Sequence, residues 1–135
     1  MSYRKTSFYI ESVHSNKYLD VKDASEEQGA EVVLHDFNGN NNQQWKYKNG
    51  MIYSKLNGLV MDIANSDKGG KVIMWNPHGG DNQQWTFERD FTIRSGLGTV
   101  MDVQAANTDN YTNIIGLPKN GGDNQKFRIV PVNKD

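Results

Sequence analysis

The chain repeats itself three times, and this constrains its fold more than any other feature. Asn42-Gln43-Gln44-Trp45 returns as Asn82-Gln83-Gln84-Trp85 and again as Asn124-Gln125-Lys126-Phe127, at offsets of 40 and 42 residues. Leu19-Asp20-Val21, Met61-Asp62-Ile63 and Met101-Asp102-Val103 keep the same period. So do Ile10-Glu11-Ser12, Ile52-Tyr53-Ser54 and Ile93-Arg94-Ser95. A fourth apolar series, Val32-Val33-Leu34, Val72-Ile73-Met74 and Ile114-Ile115-Gly116, lies between the Asp and the Gln of each copy. Self-similarity at a fixed period marks a structural unit that buries its apolar face only against its neighbours. The 135 residues therefore form one domain, 1–135, of three units spanning roughly 6–47, 48–88 and 89–130.

Within each unit the apolar markers are short and are punctuated by Asn, Gly, Ser, Asp and Lys. That is the pattern of strands separated by turns. The 16 Asn and 13 Gly reinforce it, because both residue types disfavour helix interiors and favour turns. No unit holds a helical periodicity of ten residues or more, so the spacing predicts four strands per unit, twelve in all, with little or no α-helix. A propeller blade also has four strands in about 40–45 residues, but closed propellers need about four blades or more. Three units must close in another way.

Composition narrows the function. The 15 basic and 16 acidic residues give a net charge of −1, which argues against a nucleic-acid partner, since phosphate binding needs a dense Lys/Arg surface. Absence of Cys excludes disulfides, a thiolate zinc site and a thiol nucleophile. The three His residues lack zinc-type spacing, no Gly-x-Ser-x-Gly elbow occurs, and Gly69-Gly70-Lys71 lacks the rest of a phosphate loop and reads as a turn. The expectation is a protein that is not an enzyme, with no cofactor and no metal. Arg4 and Lys5 precede no signal-type apolar run, and no segment reaches membrane-spanning length. The reading is a chain without membrane insertion, cytoplasmic or released by an unconventional route.

Two sets of repeated residues then separate. Trp45, Trp85 and Phe127 are large apolar groups at matched places and are expected to form a shared core. Gln43, Gln83 and Gln125 are expected to satisfy buried backbone groups and to orient a site. Asp20, Asp62 and Asp102 carry the sharper signal. Asp is depleted in strands, yet each stands between apolar residues, where alternation points the carboxylate away from the core. Nearby Lys22, Ala64 and Gln104 have diverged while the Asp is kept in all three units.

Three Gln-x-Trp/Phe units, each with an upstream Asp, make the chain resemble the ricin B-type (R-type) lectin domain over nearly its whole length. Phe8-Tyr9-Ile10, Ser54-Lys55-Leu56-Asn57, His78-Gly79-Gly80 and Asn124-Gln125-Lys126-Phe127 are most similar to the galactose-binding halves of earthworm tandem-repeat lectins. The resemblance implies an all-β β-trefoil with pseudo-threefold symmetry, in which six strands form a barrel and three hairpins cap it. It also implies a lectin for galactose- or N-acetylgalactosamine-type glycans. In that family the Asp takes the 3- and 4-hydroxyls, the Asn assists, and an aromatic residue ten before the Gln-x-Trp aromatic stacks on the sugar. Many members also carry a disulfide in each unit, which this chain cannot.

A sugar site asks for a carboxylate to accept adjacent hydroxyls, an amide that donates and accepts, and a flat ring for the C–H face. The middle unit has all of these in Asp62, Asn82 and Trp75, with His78 and Gln83 beside them. The first keeps Asp20, Asn42 and Gln43 but has His35 at the ring position, with Phe37 two residues on. The third keeps Asp102, Asn124 and Gln125 but has Leu117 there, and spacing gives no reason for the loop holding Tyr111 to replace the missing ring. The expected order of strength is middle, first, third. Up to three shallow sites imply multivalent binding to glycans of glycoproteins or glycolipids, and agglutination. The competing reading is a non-catalytic protein-binding trefoil, an inhibitor or cytoskeletal module that works through its loops.

Overall fold

The computed structural model describes residues 6–66 and 69–132, so Arg4 and Lys5 of the leader reading lie outside the described residues. Among the described residues twelve strands alternate with turns: β1 (Phe8–Ser12), β2 (Tyr18–Val21), β3 (Val32–His35), β4 (Trp45–Lys48), β5 (Met51–Ser54), β6 (Val60–Ile63), β7 (Val72–Trp75), β8 (Trp85–Phe87), β9 (Ile93–Ser95), β10 (Val100–Val103), β11 (Ile114–Leu117) and β12 (Phe127–Pro131). The helical elements among the described residues are three-residue 3-10 turns. The turn chemistry is local. Asn49-Gly50 joins β4 to β5 with φ of 55° and 78°, the left-handed pair that a two-residue hairpin demands and that Asn-Gly supplies at least cost.

Six strands make a closed ring. β12 pairs with β1 from Phe8↔Pro131 to Ser12↔Phe127, β4 pairs with β5, and β8 pairs with β9. Three matched stitches join these pairs: Phe8 against Trp45, Trp85 N–H to the Gly50 carbonyl, and Phe127 N–H to the Phe91 carbonyl, the last two at 2.8 Å. Closure removes the exposed sheet edges that would otherwise invite pairing with other chains. The remaining strands form the hairpins β2–β3, β6–β7 and β10–β11. These cap one end in a cyclic order through the bridges Glu31↔Ile73, Lys71↔Ile115 and Asn113↔Val33. A six-strand barrel capped by three hairpins is a β-trefoil, as the family resemblance implied.

The core fills the space between barrel and cap. Trp45, Trp85 and Phe127 are buried together with Phe8, Ile10, Leu34, Ile52, Met61, Met74, Ile93 and Met101. The symmetry is imperfect in one polar detail. Trp85 Nε1 donates to the Met61 carbonyl at 3.1 Å, whereas Trp45 Nε1 is buried without a partner. Where the hairpins meet, the matched residues Glu31, Lys71 and Asn113 bond to one another: Lys71 Nζ lies 3.0 Å and Asn113 Nδ2 3.1 Å from the Glu31 carboxylate. These donors hold the Glu31 carboxyl below its usual range.

Candidate functional site

In each unit the strand bearing the Asp lies beneath the 3-10 turn that carries Asn and Gln. The turns are Asn41–Gln43, Asp81–Gln83 and Asp123–Gln125. They cover the Asp strands, and β6 and β10 are consequently buried at every position. The carboxylates expected to point away from the core are therefore almost enclosed beneath these turns: Asp20, Asp62 and Asp102 are 2%, 4% and 2% exposed. Alternation still holds, with Met61 and Ile63 in the core and the Asp62 carboxylate turned the other way onto Gln83, but that second face is covered rather than wet.

The glutamines explain how a carboxylate survives this burial. Gln83 donates from Nε2 to Asp62 Oδ2 at 2.9 Å and to the Asn76 carbonyl at 2.9 Å, while its Oε1 accepts the His78 and Gly79 N–H groups at 2.8 and 3.0 Å. Gln43 repeats the pattern with Asp20 at 3.0 Å, the Asp36 carbonyl, Asn38 and Gly39. Gln125 does so with Asp102 at 2.9 Å, the Pro118 carbonyl and Asn120. All three glutamines are wholly buried, so their contacts are confined to the carboxylates and backbone groups they fix. Burial pushes the Asp20, Asp62 and Asp102 carboxyls above the usual aspartate range, opposed first by the Gln donor.

Around this shared base the three sites differ. In the middle unit Trp75, at the end of β7, is 39% exposed. His78 Nδ1 accepts the Gly80 N–H at 3.0 Å, which leaves the proton of the neutral ring on Nε2, facing Asp62 Oδ2 at 3.8 Å. Asn82 Nδ2 is anchored to the Ile63 carbonyl at 3.3 Å. Carboxylate, amide, imidazole and indole thus come from one unit. In the third unit Asn124 Nδ2 keeps the matching anchor on the Val103 carbonyl at 3.1 Å and also donates to Asp102 Oδ1 at 3.3 Å, and Leu117 offers no ring.

The first unit contains a pocket of about 190 Å³ lined by Asp20, Asp23, Ala24, His35, Asn38, Asn40, Asn42 and Tyr111. Phe37 has left this group and packs on Tyr9 and Tyr18, with ring centroids 5.1 and 5.0 Å away. Asn42 Nδ2 donates to the Val21 carbonyl at 3.3 Å. Sequence reasoning placed Asp20, His35 and Asn42 here but missed Asp23, Ala24, Asn38 and Asn40 of the same unit, and Tyr111, whose approach depends on how one unit lies on the next. It also missed a backbone feature. The residue pairs after the Asp strands, Asp23-Ala24, Asn65-Ser66 and Ala105-Ala106, all have φ between 53° and 61°. Left-handed backbone at non-glycine residues costs on the order of 1 kcal/mol each and concentrates at functional sites. Among the described residues no group of three or more His, Asp or Glu side chains is placed to hold a metal ion.

Comparison with known proteins agrees with this architecture. The chain is similar to the designed threefold symmetric protein ThreeFoil at 33% identity and a TM-score of 0.85, over 93% of this chain and 99% of that one. It is similar to the C-half of an earthworm R-type lectin, solved with GalNAc, at 24% identity and a TM-score of 0.84, over 94% and 99% of the two chains. An exo-β-1,3-galactanase from Clostridium thermocellum is 29% identical with a TM-score of 0.84, over 94% of this chain but 30% of that larger one. No curated protein sequence gives a significant match. The model of the ricin-type β-trefoil lectin domain matches residues 6–127, and with the threefold Asp and Gln-x-aromatic framework described above, the chain belongs to that carbohydrate-binding family.

Proposed function

We propose that this domain is a non-catalytic lectin for galactose- or N-acetylgalactosamine-type glycans, with the middle unit as its principal site. The observation that carries the reading is the pairing of a Gln83-held Asp62 carboxylate with the exposed Trp75 ring, flanked by His78 and Asn82. An ionised carboxylate has about four acceptor positions, so with one taken by Gln83 it can still receive two neighbouring hydroxyls in charge-assisted bonds. Galactose-type sugars present such hydroxyls on one edge and an apolar C–H patch for the indole on one face. The GalNAc in the earthworm lectin complex and the galactanase among the similar structures support this sugar class.

Such a site buries little area, and its affinity for one sugar is near millimolar, about −4 kcal/mol. The sites are distributed about the pseudo-threefold axis, so a surface-displayed glycan array is held through avidity, and particles coated with it are cross-linked. Asp62→Asn is the direct test, because the Asn oxygen can still accept from Gln83 while the charge is gone. Titration with galactose is expected to show at least tenfold weaker binding at the middle site with the fold retained. Undiminished affinity would refute the assignment.

A further inference from the structure

The three hairpins hand their tips around the cap in one direction, and each tip lies beside the ring position of the following unit. Gly29 N–H donates to the Met74 carbonyl at 2.7 Å, which places it next to Trp75. Gly69 N–H donates to the Gly116 carbonyl at 2.6 Å, next to Leu117. Tyr111 N–H donates to the Leu34 carbonyl at 2.7 Å, next to His35. All three tips are left-handed, with φ of 90°, 82° and 73°. Two are therefore glycine, the residue that this backbone favours, and the third is an aromatic residue that the backbone disfavours.

The ring at this strained tip is directed into the first pocket. Tyr111 lies edge-on to His35 with centroids 5.2 Å apart, lines the same cavity as Asp20 and Asn42, and remains 49% exposed. Lys22 Nζ stands over the ring, 6.0 Å from its centroid. A clasp fixes the loop: Asn110 Oδ1 accepts the Asp36 N–H at 3.0 Å and its Nδ2 donates to Asp36 Oδ2 at 3.2 Å. The tip is thus tied to the first unit both by backbone and by side chain.

We infer that the first site is composite, with Tyr111 of the third unit supplying the flat platform that the first unit lacks. The ligand is a pyranose whose hydroxyl edge meets Asp20 and whose C–H face lies on the Tyr111 ring beside His35. This rests on the sugar-binding reading above. It adds a ring to a site where spacing offered only His35, and it gives each of two units one aromatic platform: Trp75 beside a glycine tip, and Tyr111 beside a histidine.

The test compares the wild-type chain with Tyr111→Gly and Tyr111→Phe, reading galactose titrations by backbone amide NMR at the first and middle sites separately. Tyr111→Gly installs the residue found at the other two tips and relieves the strained backbone, so the fold is kept. It is expected to weaken first-site binding about tenfold, the scale of one lost aromatic contact, and to leave the middle site unchanged. Tyr111→Phe is expected to stay within about twofold of wild type. First-site affinity unchanged in Tyr111→Gly, with the middle site still binding, would overturn the composite site alone. Silence of both sites in the wild-type protein, with galactose and with N-acetylgalactosamine, would overturn the sugar-binding reading along with it.

Discussion

Replacing Gln83 by Met removes one amide of similar volume and with it four hydrogen bonds: two donated to Asp62 and the Asn76 carbonyl, and two accepted from His78 and Gly79. A neutral bond contributes about 1 kcal/mol net and one to a charged group about 2, so the ceiling is about 5 kcal/mol. Only the Asp62 bond is fully buried, and water takes over part of the other three. The expected loss is therefore about 3 kcal/mol, a large share of the 5–15 kcal/mol typical of a domain. Urea unfolding followed by tryptophan fluorescence measures it as a fall in midpoint at constant slope. Gln125→Met is the internal control. Among the described residues Gln125 makes three bonds of this kind, so its loss should be smaller by about 1 kcal/mol. A cost below about 1 kcal/mol for Gln83→Met would refute the argument that these amides hold the buried carboxylates in place.

Three further outcomes are expected. Trp45→Phe should cost about 1 kcal/mol less than Trp85→Phe in the same unfolding assay, because Trp85 loses its bond to the Met61 carbonyl while Trp45 loses only an unpartnered buried N–H. Galactose affinity should fall on acidification with a midpoint above the ordinary aspartate value of 3.8, since burial raises the Asp62 carboxyl and binding needs its charge. The same burial means that Asp20, Asp62 and Asp102 contribute stability when protonated, which is lost as pH rises through their raised folded values. Glu31 has the opposite sign, its contribution present above the unfolded value and lost as pH falls through its lowered folded one. Urea midpoints for wild type and Asp62→Asn should therefore diverge between acidic and neutral pH in favour of the variant.

What the sequence disclosed was whatever triplication marks. Trp45, Trp85, Phe127 and the three Asp and Gln positions stand out because three copies keep them, and the barrel and cap were legible through the family resemblance that these positions carry. What stayed hidden is the relation between copies. Tyr111 is 91 residues from Asp20 and belongs to another unit, so no spacing rule within a unit connects them. The left-handed pairs were hidden for a different reason. Ala105-Ala106 has neither Gly nor Asn to signal its conformation, and neither residue is buried, so no apolar pattern marks it either. The burial of Asp20, Asp62 and Asp102 was hidden because a strand's second face is dry only once another segment folds over it.

The directional hand-off at the cap bears on how such a molecule can arise. Each unit gives its hairpin tip to the next, and the third gives its tip back to the first, so an isolated unit has both a free tip and an uncovered groove. Three identical short chains could satisfy that geometry as well as one chain of three linked units, forming a cyclic homotrimer with three equivalent pockets. Covalent linkage releases the copies from identity. Once joined, one tip can carry a tyrosine while the other two remain glycine, and a ring of equal sites becomes a ring of unequal ones.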